Sequence, residues 1–412
     1  MKGGTSPDYS EGVTWKDIEE AYDRVKGIIK NTPIERSSSI SDLSGAEVYL
    51  KLENLQKGGS FKIRGAYNLL SRTNRDVVAA SAGNHAQGVA LASSLLGLRS
   101  LVVMPQFAPP VKMIATQRYG GEVLLFGNSF DEATEKAKTI AKKEKRTFAH
   151  AFDNRYVIAG QGTIGLEILQ QMDDFDYILI PVGGGGLIGG IATYLKEKGF
   201  RGKVIGVEAE NAASMKSSLR EGRPVKLESV ATIADGIAVK SPSQLTVNIA
   251  RKYVDQVVTV SDEDISTAMF TLLERGKIVS EPAGAVSVAA LIRGKVKAKG
   301  KKVVALISGG NVDMPLLSQI IEKNLIESGR EFILSFIVKN IPSEMKKAIE
   351  LFSEMRLNVE ELHTELFGDD IGIGMQKITV KLKIYGKEDL SRIRKTFDAL
   401  GFKIVGIRGA KF

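Results

Sequence analysis

Lys62 stands in the run Gly58-Gly59-Ser60-Phe61-Lys62-Ile63-Arg64-Gly65-Ala66, a single lysine behind two glycines and a serine. A lysine amine that gives up its proton can attack an aldehyde and form an imine. Two settings favour the neutral amine: the positive end of a helix, and partial shielding from water. Both disfavour the ammonium. The preceding run, Glu47 to Glu53, alternates with Val48, Leu50 and Leu52 inward and Tyr49 and Lys51 outward, the period of a strand. From Ile63 to Leu70 the apolar groups fall at helical spacing. Lys62 is therefore expected where a strand gives way to a helix. A surface lysine beside a turn has the same local pattern, so the other motifs decide between the two.

Three further turns carry chemistry. Gly183-Gly184-Gly185-Gly186-Leu187 lies between an apolar strand and a helix. Backbone N–H groups bared of side chains at a helix N-terminus form a cradle for an anion. Each glycine has an entropic cost, so four in succession are more than a tight turn requires. A rival reading is open: Gly184-x-Gly186-x-x-Gly189 fits the dinucleotide pattern, and Glu208 stands about 20 residues on, where a ribose-binding acid would sit. That reading predicts an NAD-dependent oxidoreductase. No Gly-Lys-Ser/Thr follows, so a P-loop is excluded. In Ser81-Ala82-Gly83-Asn84-His85 the free N–H groups suit a carboxylate, and the Asn84 amide suits a phenolic oxygen. His85, one of three histidines, has no ligand-type neighbour and reads as structural. In Ser308-Gly309-Gly310 the hydroxyl can meet a ring nitrogen or cap the helix that begins near Pro315.

The elements that must position these turns alternate. Strands at 77–80, 100–104 and 122–126 are interleaved with helices at 86–96, 110–119 and 130–142. A second set runs through 177–182, 187–198, 204–208, 257–260 and 302–307. This is the pattern of α/β units with parallel sheets covered on both faces. At Glu331 the pattern becomes β-α-β-β-α-β, the ferredoxin-like order. The expected division is a flexible lead-in over residues 1–14, a catalytic body over 15–328 and a C-terminal domain over 331–412. A smaller subdomain, about 55–150, is inserted in the body.

The 412 residues exceed one ordinary core. A hydrophobic share of 43% and a charged share of 25% describe a globular chain. The formal net charge of +9 is scattered, and its two basic runs, at 142–146 and 295–302, lack any groove-reading motif. No nucleic-acid partner is expected, and anionic small molecules are favoured. The absence of cysteine excludes disulfides, thiolate zinc sites and a cysteine nucleophile, and fits a cytoplasmic or heat-adapted chain. No stretch is apolar and long enough to cross a membrane, and none is expected as a partner.

Ser60 to Ala66, Ser81 to Gly88, Ala159-Gly160-Gln161-Gly162-Thr163, Gly183 to Leu187, Glu281-Pro282-Ala283-Gly284 and Ser308-Gly309-Gly310-Asn311 occur in one order. In that order the chain, over about residues 15–325, resembles the threonine dehydratases (threonine ammonia-lyases). These are pyridoxal-phosphate enzymes of fold type II, the fold of the tryptophan synthase β subunit. The tail from 331 resembles an ACT-type amino-acid-sensing domain.

The resemblance implies a fold and a set of roles. Lys62 joins pyridoxal 5′-phosphate and later acts as a base near Cα, Phe61 stacks on the ring, and Asn84 bonds the ring's phenolic oxygen. Gly183, Gly184, Gly185, Gly186 and Leu187 hold the phosphate, and Ser308 meets the pyridine nitrogen. Ser81, Ala82, Gly83 and His85 receive the substrate. The implied reaction converts L-threonine to 2-oxobutanoate and ammonia, with L-serine as a secondary substrate. Isoleucine or valine is the implied effector of a homodimer or homotetramer. Two departures matter. Serine racemases of the family carry a second serine where this chain has Ala82, so racemisation ranks below elimination and, with other lyase reactions of fold type II, stands as the alternative. Relatives with a divalent-ion site pair a glutamate like Glu208 with an acid six residues later. That position is Ser214 here, so no metal is expected, a cation near Glu208 and Ala212 being the alternative.

Overall fold

The apolar runs 178–182, 204–207 and 303–307 are too continuous for a half-exposed sheet, and they form interior strands. The computed structural model describes residues 12–383 and 387–409. Its larger sheet holds β1 (Ile34–Arg36), β2 (Glu47–Leu52), β7 (Tyr177–Pro181), β8 (Lys203–Ala209), β9 (Gln256–Val260) and β10 (Lys302–Ile307). Their order across the sheet is β1-β2-β10-β7-β8-β9. Only β1 runs antiparallel to its neighbour. Between β2 and β7 the chain builds a second sheet from β3 (Val77–Ala80), β4 (Ser100–Met104), β5 (Glu122–Leu125) and β6 (Thr147–Phe148). This sheet is parallel, in the order β5-β4-β3-β6. Of the expected flexible lead-in, residues 1–11 lie outside the described residues. Thr14 caps the first helix, Trp15–Val25, in a capping box with Asp17.

Lys51 departs from expectation. Alternation places it opposite Val48 and Leu50, but β2 lies inside the sheet between β1 and β10. Both its faces are covered, and Lys51 is fully buried.

Three helices pack at backbone distance. A Cβ on Gly160, in the helix Arg155–Gln171, would lie 2.6 Å from both Arg64 O and Gly65 Cα. A Cβ on Gly190, in the helix Gly186–Glu197, would lie 2.3 Å from Ile158 O. These approaches fix the helices that start at Lys62 and at the glycine loop. Gly160→Ala is expected to lower unfolding free energy by about 1–3 kcal/mol through overpacking against rigid backbone. Denaturant titration checks this, and an unchanged midpoint would show that the helices can part.

The contacts divide the chain between Asp313 and Met314. The expected boundary near 328–331 lies later, because the helix Met314–Glu327 groups with the second unit. That unit holds β11 (Glu331–Lys339), β12 (Asn358–Glu365), β13 (Met375–Lys383) and β14 (Lys403–Arg408) in the order β12-β13-β11-β14, all antiparallel. With the helices Pro342–Glu354 and Lys387–Leu400 this is the expected β-α-β-β-α-β succession. Its core is aromatic, with Phe336 and Phe397 ring centroids 4.7 Å apart and Phe352 and Phe402 against them. Among the described residues no helix is long and apolar enough to cross a membrane.

Candidate active site

Lys62 opens the helix Lys62–Leu70, and the residues before it are stitched to the end of β10. Phe61 N donates to Ser308 O at 3.2 Å, and Gly310 N donates to Gly59 O at 2.9 Å. The lysine turn and the serine turn, about 250 residues apart in the chain, are thus neighbours. Two residues into the helix, the buried Arg64 guanidinium pairs with Glu53 at 2.7 Å and with Glu167 at 2.6 Å. Glu167 also pairs with Lys51 at 2.7 Å. Two cations and two anions balance there, which is what makes their burial tolerable. The cluster ties the Lys62 helix to β2 and to the helix Arg155–Gln171.

A cavity of about 600 Å³ opens between the two sheets of the first unit. Phe61, Lys62, Ser81, Ala82, Gly83, Asn84, His85, Gly183 to Leu187 and Ser308 all line it. The structure thus brings together every residue for which the sequence predicts a cofactor or substrate role. The Lys62 amine lies 5.0 Å from the Phe61 ring centroid. Burial lowers its pKa to about 8, against the opposing pull of the Glu281 carboxylate. In cofactor-free protein, capture of pyridoxal phosphate by this amine is therefore expected to quicken as pH rises, with its midpoint near pH 8 and a plateau above it. Rapid-mixing absorbance across pH checks this. A midpoint near 10.5, the value of an ordinary lysine, would contradict it.

The glycine loop turns at Gly185 with φ +88°, left-handed backbone that glycine accepts and other residues resist. A Cβ on Gly184 would lie 2.2 Å from the Phe152 ring. The helix Gly186–Glu197 starts immediately after, so its N-terminal amides and the loop amides share one cradle. Ser308 is buried, and its hydroxyl oxygen lies 3.5 Å from Ala283 O, the outer limit of a hydrogen bond. His85 is engaged otherwise: Nε2 lies 2.8 Å from Ala149 O. Burial, and next the Lys62 charge, lower its pKa to about 3, so the ring is neutral and Nε2–H donates to that carbonyl.

Glu208 does not line the cavity. Its carboxylate accepts from Met215 N at 2.8 Å and Lys216 N at 2.9 Å, at the start of the helix Ser214–Glu221. Burial raises its pKa to about 7. The acid that the dinucleotide reading needs for a ribose is thus occupied with backbone amides. Ala212 is buried in the turn Glu210–Ala212. Among the described residues no group of three or more His, Cys, Asp or Glu is placed to hold a metal.

Sequence reasoning gave no role to several cavity residues. Glu281, 5% exposed, accepts from Asn84 Nδ2 at 2.6 Å. Asn311 donates to Asn84 Oδ1 at 2.8 Å. Phe152 covers the glycine loop. Lys112 pairs with Asp235, and Lys226 pairs with Asp131 at 3.3 Å, each pair joining a helix beside the smaller sheet to the segment 223–243. Glu281 and Asn311 stand in motifs visible in the sequence, so a charged or amide residue beside such a turn is the signal that could have found them.

The model of the family described as pyridoxal-phosphate dependent enzyme matches residues 25–309. An L-threonine ammonia-lyase of Thermotoga maritima is 44% identical over 95% of this chain and 99% of its own length. Among solved structures, maize serine racemase superposes with a TM-score of 0.72 at 34% identity, covering 76% of this chain and 98% of that one. The processed form of threonine deaminase isoform 2 from Solanum lycopersicum superposes with a TM-score of 0.71 at 39% identity, covering 78% and 89%. With its lysine, glycine and serine turns gathered on one cavity inside the matched span, this chain belongs to the family of pyridoxal-phosphate dependent enzymes.

Proposed function

We propose that the protein eliminates water from L-threonine to give an enamine, which water then hydrolyses to 2-oxobutanoate and ammonia, with L-serine as a secondary substrate. The observation that carries the chemistry is the one cavity shared by a partly buried lysine and a bare glycine cradle. The choice of threonine rests on the threonine ammonia-lyase that matches along nearly the whole chain.

The residues fit pyridoxal phosphate. The cradle at 183–186 has no room for side chains, since a Cβ on Gly184 or Gly186 would meet Phe152 within 3 Å. The Lys62 amine is held where its proton is easily lost, and the Ser308 hydroxyl is only loosely engaged. When bound, the cofactor supplies an electron sink that weakens the bonds at the substrate's Cα. In this reading Lys62 Nζ would hold the aldehyde carbon of the cofactor and would accept the proton from the substrate's Cα. The amides of Gly183 to Gly186 and Leu187 would hold the phosphate, Phe61 would pack on the ring, and one Asn84 N–H would meet the phenolic oxygen. Ser308 would offer the ring nitrogen a neutral partner, which would favour loss of the β-hydroxyl over a long-lived charge on Cα. Ser81, Ala82 and Gly83 place the carboxylate at the start of the helix Asn84–Leu95.

A panel following 2-oxo acid release tests the proposal. L-threonine is expected to be turned over fastest, L-serine more slowly and the D-forms not at all. A protein inert to both L-forms would overturn it.

Likeness to maize serine racemase favours a second reading, racemisation. Ala82 offers no hydroxyl to return a proton to the opposite face of Cα. Native racemisation is expected to be minor, and Ala82→Ser to raise it. Chiral chromatography of serine checks both, and strong native racemisation would contradict this assignment.

The second unit is proposed to be an ACT-type sensor, supported by its β-α-β-β-α-β order. Isoleucine or valine would be its effector, in a homodimer or homotetramer located in the cytoplasm.

A further inference from the structure

Glu281 is a carboxyl group on the cavity wall that the proposed chemistry leaves without a task. It precedes Pro282, the first residue of the helix Pro282–Ile292, yet its side chain makes no cap to that helix. It accepts instead from Asn84 Nδ2, at 2.6 Å. On the other side, the Asn311 amide nitrogen donates to Asn84 Oδ1 and to Gly58 O, both at 2.8 Å. A primary amide has two N–H donors and one carbonyl oxygen. With the carbonyl accepting from Asn311 and one N–H given to Glu281, the Asn84 amide cannot flip or turn without losing a bond. Its remaining N–H has a single direction. Glu281 is itself fixed, because it packs on the bare Cα of Gly309: a Cβ there would lie 2.2 Å from Oε1.

We propose that Glu281 and Asn311 are positioning residues: together they lock the Asn84 amide so that its second N–H meets the phenolic oxygen of the cofactor. This rests on the function proposed above. The charged groups facing Glu281 are Asp235, Lys62 and Lys112. Burial and then Asp235 raise its pKa to about 7, while Asn84, Lys62 and Lys112 pull it down. The influence on Lys62 is reciprocal, since the Glu281 carboxylate favours the Lys62 ammonium. Deleting that charge must lower the proton affinity of the lysine.

Glu281→Gln separates the bond to Asn84 from the charge. The glutamine oxygen still accepts from Asn84, but its charge is gone. The test uses the full chain, cofactor-free and reloaded, with two readouts. In the pH profile of pyridoxal-phosphate capture, E281Q is expected to shift the midpoint down by about one pH unit, while cofactor affinity stays within about threefold of the parent. In the visible absorption spectrum of the loaded protein, Asn311→Ala and Glu281→Ala are expected to shift the band and to weaken cofactor binding by about tenfold or more, as the Asn84 amide turns free. Should Glu281→Ala lose its fold, the isosteric E281Q and N311A decide. A visible spectrum and cofactor affinity in N311A that coincide with the parent's would overturn the proposal, as would an E281Q whose cofactor affinity falls as far as that expected for Glu281→Ala, whatever the thermal midpoints show. A parent that forms no reducible adduct on Lys62 would instead sink the proposed function, so the two failures are distinct.

Discussion

Lys62→Ala is expected to lower 2-oxo acid release from threonine by about 10³-fold or more, with the fold intact. Alanine is a good helix former and Lys62 is the first residue of its helix, so the backbone has no reason to move. What is lost is the amine, which the proposed chemistry uses to hold the cofactor and then to take the Cα proton. Lys62→Arg is expected to fail as badly: a guanidinium keeps its proton and cannot form the imine. Far-ultraviolet circular dichroism shows whether the variants are folded, and single-turnover assays measure the loss. Activity within about tenfold of the parent in folded Lys62→Ala would place the chemistry elsewhere.

Gly184→Ala carries the second large effect. The new Cβ would sit 2.2 Å from the Phe152 ring, which packs edge-on against His150 with centroids 4.7 Å apart. The next residue, Gly185, is held at φ +88°, so the loop has little freedom to yield. Either the ring or the cradle must shift, and the phosphate then loses some of its charge-assisted amide bonds. With each worth about 1.5–3 kcal/mol, cofactor affinity is expected to fall by about 10–100-fold or more. Equilibrium dialysis measures it. Adding Phe152→Ala should recover part of the loss, because it removes the atoms the methyl group meets. An unaltered dissociation constant in Gly184→Ala would mean that the cradle is not where the phosphate lies.

The four turns were readable because each joins a chemical group to a junction that local pattern reveals. A lysine where a strand gives way to a helix, glycines ahead of a helix and a serine at a strand end are properties of neighbouring residues. The partners that set their behaviour are not neighbours. Asn84 and Glu281 are 197 positions apart, and Arg64 and Glu167 are 103 apart. Nothing in either segment announces the other. Lys51 shows the same limit. Alternation gives the face of a strand but not whether helices cover it, and an interior strand turns an outward lysine into a buried one. Glu208 shows the converse, since an acid at a strand end fits a ribose partner and a helix cap equally until the following helix is placed. In the second unit, alternation and helical spacing were strong enough to show the order of elements. The grouping of the helix Met314–Glu327 with it depends on packing, which spacing does not record.

Borohydride reduction of the loaded protein, followed by peptide mass spectrometry, tests the central claim most directly. The predicted result is a pyridoxyl mass increment on Lys62 alone, with loss of the visible band. No increment, or one on a different lysine, would contradict the assignment of the catalytic amine.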